Sequence, residues 1–209
     1  RGLAGGYNSN AVKLLTKDER FTTENTVVYA VGTKGRDSVE REGYTIAGDY
    51  SEAINEPLYA DASEIGKEVL SKFTMGEIGE IYLIYTIFKN TMVQIPTMMK
   101  LLPINASDIT ADAEDVEENP IDRITLMNYE PAPEEALNAI IPKYVNSLIF
   151  GGLVESHASE NGARMQAMDS ATSNAEEMIS DLSLKYNRAR QASITQELTE
   201  IIAGASAIS

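Results

Sequence analysis

Three groups of residues in this sequence have the chemistry that a catalytic or ligand-binding site needs. Residues 2–6 (GLAGG) place glycines before a helix-like segment, where exposed backbone amides can bind phosphate. His157 is the only histidine of the chain, so a serine nucleophile would need it as its general base. Residues 105–120 carry many carboxylates, whose oxygens are ligands for divalent cations.

None of these three groups has the full sequence motif of a phosphate-binding, catalytic or calcium-binding site. The glycines lack GxGxxG spacing, and no Walker lysine followed by Ser or Thr is present, so we expect a structural strand-to-helix turn. His157 lies near Glu155, Ser156 and Ser159 on a predicted helix, which favours a solvated side chain over a triad. Residues 105–120 lack the central glycine of an EF-hand loop and predict a mobile, solvated loop. We therefore expect no catalytic residue, no metal site and no cofactor.

A fourth group is a dense set of polar side chains close to the C-terminus. On an arbitrary helix, such a set is typical of a solvated face. Its members are Arg188, Arg190, Gln191, Thr195, Gln196, Glu197 and Glu200.

The element that carries this set is a predicted long amphipathic helix. Apolar and small residues recur there in steps of three or four, and this spacing is typical of one helix face. The stripe consists of Met168, Ala171, Ala175, Met178, Leu182, Tyr186, Ala189, Leu198 and Ile201. The gap after Ala189 and the many Ala and Ser residues argue against a strict leucine zipper. Met165, Met168 and Met178 are core or interface residues in this interpretation, not a cofactor site.

The first half of the chain alternates between predicted strands and helices. Residues 26–32 are apolar on both faces, as in a strand covered by helices on both sides, and residues 44–47 predict the next strand. Residues 80–89 and 92–101 predict a hairpin with a tight turn at Asn90–Thr91, and Pro96 places the second strand at an edge or at a bulge. We expect helices at 36–41 and 63–73 and a compact α/β domain over residues 1–132.

The second half predicts a helix over residues 133–209. A short strand at 124–128 comes before it, and Pro142 predicts a kink or a restart because proline cannot donate to the preceding turn. From there the helix can continue to Gly204, a length of roughly 90 Å. Glycines at positions 151, 152 and 162 weaken a helix, so its first part must rely on packing against the α/β domain.

Composition excludes several classes of partner and location. The formal net charge of −15 disfavours nucleic acid and acidic lipid surfaces, because phosphates would be repelled. The chain has no cysteine, so neither a disulfide framework nor a thiolate metal site can form. The longest apolar run, residues 81–88, is far shorter than the roughly 20 residues that span a bilayer. Because no secretion signal stands at the start, we expect a soluble, intracellular protein.

Three segments carry a resemblance to a known family. RGLAGGYNSN at the start, SENGARMQAM, and KYNRARQASITQELTEIIAGA near the end occur in the order in which the gamma subunit of F-type ATP synthase has them. The chain resembles that family closely. Family members have a long helix and a strand before RGLAGG, so the resemblance implies a fragment of about three quarters of a gamma subunit. The segment it lacks includes the N-terminal helix that pairs antiparallel with the C-terminal one.

The resemblance implies a fold, a function and a set of partners. The fold is a Rossmann-like α/β/α central domain followed by one long helix of a coiled coil. The function is that of a non-catalytic rotor shaft, which couples proton or sodium flow through the membrane c-ring to the conformational cycle of the catalytic beta subunits. Implied partners are the alpha, beta and epsilon subunits and the c-ring, at the cytoplasmic face of the cell membrane. The fragment itself is expected to be soluble and to self-associate through its exposed stripe.

The resemblance also implies roles for individual residues. Arg190, Gln191, Thr195 and Glu197 correspond to family residues that contact loops of the beta subunits. Ile201, Ile202 and Ala205 belong to the apolar tip that turns inside a collar of the alpha-beta ring. Glu130 is the candidate on the side of the c-ring.

Two functions from other classes stay open at this point. A nucleotide-binding α/β enzyme would explain the strand and helix alternation, and it predicts a melting shift with ATP or NAD that a shaft would not show. A coiled-coil adaptor would explain the long helix, but it gives no role to the sheet-rich first half.

Overall fold

The computed structural model of the protein describes residues 2–104 and 133–208. The chain forms two compact units, Arg1–Met165 and Gln166–Ser209. The predicted loop at 105–120, the predicted strand at 124–128 and Glu130 lie outside the described residues.

The first unit begins with a turn followed by a helix, a strand, a helix and a second strand. The helix α1 is Tyr7–Thr16, the strand β1 is Val27–Ala30, the helix α2 is Thr33–Arg41, and the strand β2 is Thr45–Asp49. β1 and β2 pair in parallel, as expected for strands connected through a helix.

The next elements are a short 3₁₀ turn, a helix and a hairpin. The turn is Ser51–Ile54, the helix α3 is Tyr59–Thr74, and the antiparallel strands are β3, Ile81–Phe88, and β4, Gln94–Leu102. The predicted hairpin is confirmed, and Pro96 lies in an edge strand, opposite Thr86. The strands end earlier than predicted, at Phe88 and Gln94, and the turn lies one residue after the predicted Asn90–Thr91. The Asn90 side chain accepts the amides of Met92 and Val93 at 2.9 and 2.7 Å, and the Val93 amide also donates to the Asn90 carbonyl at 3.2 Å, so the chain reverses around Thr91 and Met92.

Two apolar clusters lie on the two faces of these strands. One is formed mainly by α3, β3, β4 and a later helix, and its buried residues include Val69, Leu101 and Val145. The other is formed by Leu15 of α1 and Val39 of α2 with Tyr44. Helices therefore cover the strands on both sides, and the predicted α/β class is confirmed. In the described residues the strands pair as two separate two-stranded sheets, not as one continuous sheet.

The last described element is the long helix α4, Pro133–Ile208. It is one helix of 76 residues, and it continues through Pro142 without the restart that the sequence suggested. Pro142 and Asn138, four residues before it, are both exposed. Water can therefore bind the Asn138 carbonyl in place of the missing proline amide, which limits the cost of this proline. The predicted domain boundary at 132/133 stays a prediction, since residue 132 is not described.

Candidate partner-binding surface

The part of α4 in the second unit presents nearly all of its side chains to solvent. Large apolar residues are among them: Met178 is 64% exposed, Leu182 57% and Tyr186 67%. A monomeric soluble protein rarely exposes so many large apolar side chains along one helix. This surface is therefore typical of one that a partner covers.

The apolar residues of this unit lie on two faces of the helix. With 3.6 residues per turn, Met168, Met178 and Leu182 lie within about 90° of one another around the axis. The second group is Ile194, Leu198, Ile201 and Ala205, and its mean direction lies about 130° away from that of the first group. The gap that the sequence shows after Ala189 is therefore a change of face, and the two groups fit two different partner surfaces.

The four residues predicted to contact beta-subunit loops are all exposed on α4. The helix does not gather them into one cluster. Arg190 and Glu197 are two turns apart on one face, and Gln191 and Thr195 are one turn apart on another. The Thr195 hydroxyl donates to the Gln191 carbonyl at 2.8 Å. The arrangement suits binding of separate loops on different sides of the helix.

The predicted tip residues are also exposed. Ile201 is 67% and Ile202 65% exposed, and Ala205 lies on the same face as Ile201. Met165, Met168 and Met178 are 57%, 40% and 64% exposed, so they are not core residues, and a role in an interface stays a prediction.

His157 does not have the solvated side chain that the sequence suggested. The side chain is half-buried, and Nδ1 lies 2.8 Å from the carbonyl oxygen of Ile54. The prediction was wrong because a residue distant in sequence, in the 3₁₀ turn, packs against this face of α4.

The glycines near the start form a turn. Gly5 has φ +56°, Ala4 is buried, and the Tyr7 amide donates to the Ala4 carbonyl at 3.2 Å as α1 begins. In residues 2–104 and 133–208, no group of three or more acidic, histidine or cysteine side chains could hold a metal ion. No helix within these ranges combines the length and the apolar composition needed to cross a membrane.

A second set of polar residues, on the first part of α4, was not predicted from the sequence. The Ser159 hydroxyl donates to the Thr86 carbonyl at 2.9 Å, and a Glu155 carboxylate oxygen accepts the Phe88 amide at 2.7 Å. The only available signal was the run of small and polar residues around Gly152 and Gly162, which indicates close packing on that side of the helix.

Comparison with known proteins assigns the whole chain to one family. The family described as ATP synthase matches residues 1–208. The ATP synthase gamma chain of Lachnoclostridium phytofermentans is 65% identical over 208 residues, which are 100% of this chain and 71% of that protein. A gamma chain of Acetobacterium woodii, named as sodium ion specific, is 44% identical over 100% of this chain and 72% of its own.

Solved structures show the same fold. A chain in the mitochondrial ATP synthase of Euglena gracilis is similar with a TM-score of 0.67 at 20% identity, over 100% of this chain and 69% of that one. A chain in the central stalk and c-ring structure from Tetrahymena thermophila has a TM-score of 0.57 at 22% identity, over 82% of this chain and 72% of the other.

Proposed function

Because the chain belongs to the gamma-chain family of ATP synthases, whose members are the non-catalytic central stalk of that enzyme, we propose that α4 is a shaft that turns against the catalytic beta subunits. The single observation that carries this proposal is the exposed helix surface of residues 166–206, which combines polar pairs with two apolar faces. No chemical step is assigned to the chain itself. Its work is to change the relative stability of conformations in its partners.

The proposed mechanism depends on differences in contact energy. As the shaft turns, a given beta subunit meets the Arg190 and Glu197 face in one orientation and the Gln191 and Thr195 face in another. A loop that binds one face better than the other shifts between conformations with different nucleotide affinity. Ion flow that turns the shaft then drives ATP synthesis, and ATP hydrolysis turns it in the opposite direction.

Arginine is suited to the contact with beta-subunit loops. Its planar guanidinium can donate two parallel hydrogen bonds to a loop carboxylate, which gives both strength and orientation. Arg190 and Gln191 are exposed on adjacent positions of the helix, so both side chains are available to such loops.

The apolar end of α4 suits a bearing. The side chains of Ile201, Ile202 and Ala205 carry no hydrogen-bonding group, so this part can turn inside an apolar collar of the alpha-beta ring without breaking specific side-chain contacts. The other apolar face, with Met178 and Leu182, has the spacing to pack along an antiparallel helix.

The remaining assignments concern the assembly. We propose the alpha, beta and epsilon subunits and the c-ring as partners, with Glu130 on the c-ring side, at the cytoplasmic face of the membrane. The driving ion is a proton or a sodium ion, and the relative named as sodium ion specific shows that this family includes the second kind.

Reconstitution tests the proposed function. We expect the gamma subunit, mixed with alpha and beta subunits of the same enzyme, to join them in one complex that hydrolyses ATP. Size-exclusion chromatography and a coupled ATPase assay measure the two results. Exclusion of the gamma subunit from an alpha-beta complex that forms normally would overturn the proposal.

A further inference from the structure

The first part of α4 is bonded to strand β3 through side chains. Ser156 Oγ accepts the Thr86 amide at 3.3 Å, and the Ser159 hydroxyl donates to the carbonyl of the same residue at 2.9 Å. The Phe88 amide donates to Glu155 at 2.7 Å. These backbone groups of Thr86 and Phe88 therefore bond to helix side chains on the side of β3 away from β4.

A second set of bonds joins the same part of α4 to other elements. Asn146 Nδ2 donates to the Ser63 hydroxyl of α3 at 3.3 Å, and His157 Nδ1 lies 2.8 Å from the Ile54 carbonyl oxygen. Asn146 is only 8% exposed, so its bond is shielded from water.

The two sets project from different sides of the helix. At 3.6 residues per turn, Asn146 and His157 project within about 20° of each other. Glu155 and Ser159 project about 140–180° away from these two residues, and Ser156 projects about 80–100° away. A twist of α4 about its own axis, in either direction, therefore strains bonds on both sides at once.

Close backbone approach reinforces the arrangement on both sides. A Cβ at Gly152 would lie 2.9 Å from Leu83 Cδ2, and one at Gly162 would lie 2.9 Å from Phe88 Cε2. On the other side, a Cβ at Gly66 of α3 would lie 1.9 Å from Asn146 Oδ1. A Cβ at the neighbouring Gly151 would have no atom within 4 Å, and this residue is exposed to solvent. The helix thus fits its surroundings in one rotational setting.

We propose that the segment 146–159 of α4 is a rotational lock, which fixes the helix to the α/β domain so that torque passes between them without slip. This inference rests on the proposed shaft function. Apolar contacts are non-directional and permit sliding, whereas hydrogen bonds to fixed backbone groups depend on orientation. The lock is polar for this reason, in contrast to the apolar end at Ile201 and Ile202.

The lock is tested in the assembled, membrane-bound ATP synthase. The variant combines Glu155→Ala, Ser156→Ala and Ser159→Ala, and the measurement is the number of ions pumped per ATP hydrolysed. We expect this ratio to fall on the order of threefold, because several orienting bonds are lost together, while hydrolysis by the detached alpha-beta-gamma complex stays within about twofold of the original.

Two matched controls isolate the lock. The pair Ser170→Ala and Ser173→Ala has the same spacing on an exposed part of the same helix, and it should leave the ratio unchanged. Glu155→Gln keeps a carbonyl oxygen that can accept the Phe88 amide. The number of ions that it pumps per ATP hydrolysed should therefore stay close to that of the original enzyme.

Amide hydrogen exchange shows whether the bonds are lost. Faster exchange at Thr86 and Phe88 with an unchanged pumping ratio would overturn the lock. If the triple variant does not fold, the pumping ratios of Glu155→Ala and Glu155→Gln are compared instead. Equal ratios, together with faster exchange of the Phe88 amide in Glu155→Ala, would also overturn the lock. Failure of the unsubstituted chain to assemble with alpha and beta subunits would instead contradict the proposed function.

Discussion

Replacing Arg190 and Gln191 together with alanine in the assembled enzyme should lower ATP turnover by about tenfold or more while the complex still assembles. A hydrogen bond to a charged group contributes about 1.5–3 kcal/mol, and a loss of about 1.4 kcal/mol in a transition state slows a step tenfold. Assembly should persist because the large apolar surfaces of α4 are untouched. Steady-state ATPase assays on purified complexes measure the effect.

The matched control uses the same residue type on the same helix. Gln196 is exposed, like Gln191, but it projects at least about 100° away from Arg190, Gln191, Thr195 and Glu197. Gln196→Ala should therefore have a much smaller effect than Gln191→Ala. Equal turnover in these two single variants would remove the specific role of Gln191.

Replacing Leu182 with glutamate should weaken every association that the first apolar face makes. Full burial of a leucine contributes about 1.5–3 kcal/mol, so the association constant should fall by about 10- to 100-fold. In the isolated chain of 209 residues, this face is exposed, and we expect the chain to self-associate or its helix to fray. Sedimentation velocity at several concentrations measures the association.

Leu184 provides the control for this change. Leu182 and Leu184 are 57% and 56% exposed, but they project about 160° apart around the helix. Leu184→Glu should therefore leave association nearly unchanged. If the original chain sediments as a monomer at all concentrations and its α4 amides are fully protected from exchange, the apolar stripe does not require a partner.

The strands and the hairpin could be predicted from the sequence because their signals are local. Residues 26–32 and 80–89 are rich in β-branched and aromatic side chains, and both contain strands in the structure. The position of the hairpin turn and the continuation of the helix through Pro142 could not be predicted from such local signals. The Asn90 side chain accepts two amides of the turn, and Asn138 and Pro142 lie on an exposed part of the helix, where water can replace the missing hydrogen bond.

The candidate surface was predictable in position but not in arrangement. The exposure of Arg190 or Leu182 depends on which element packs against the helix. An apolar stripe predicts a helix face that can be covered, but it does not predict which element covers it. The polar contacts of Ser156, His157 and Ser159 were not predictable, because each partner lies 70 or more residues away in the chain. Such contacts follow from the tertiary fold, which determines which face of a helix meets a strand edge.

Direct observation of rotation tests the central claim that this chain turns as a shaft. Because the chain has no cysteine, Glu42→Cys at the exposed end of α2 provides a single attachment point for a bead. With alpha and beta subunits fixed to a surface, added ATP should turn the bead stepwise in one direction, and an inhibitor of hydrolysis should stop it. A bead that stays still on a complex that hydrolyses ATP at its normal rate would contradict the claim.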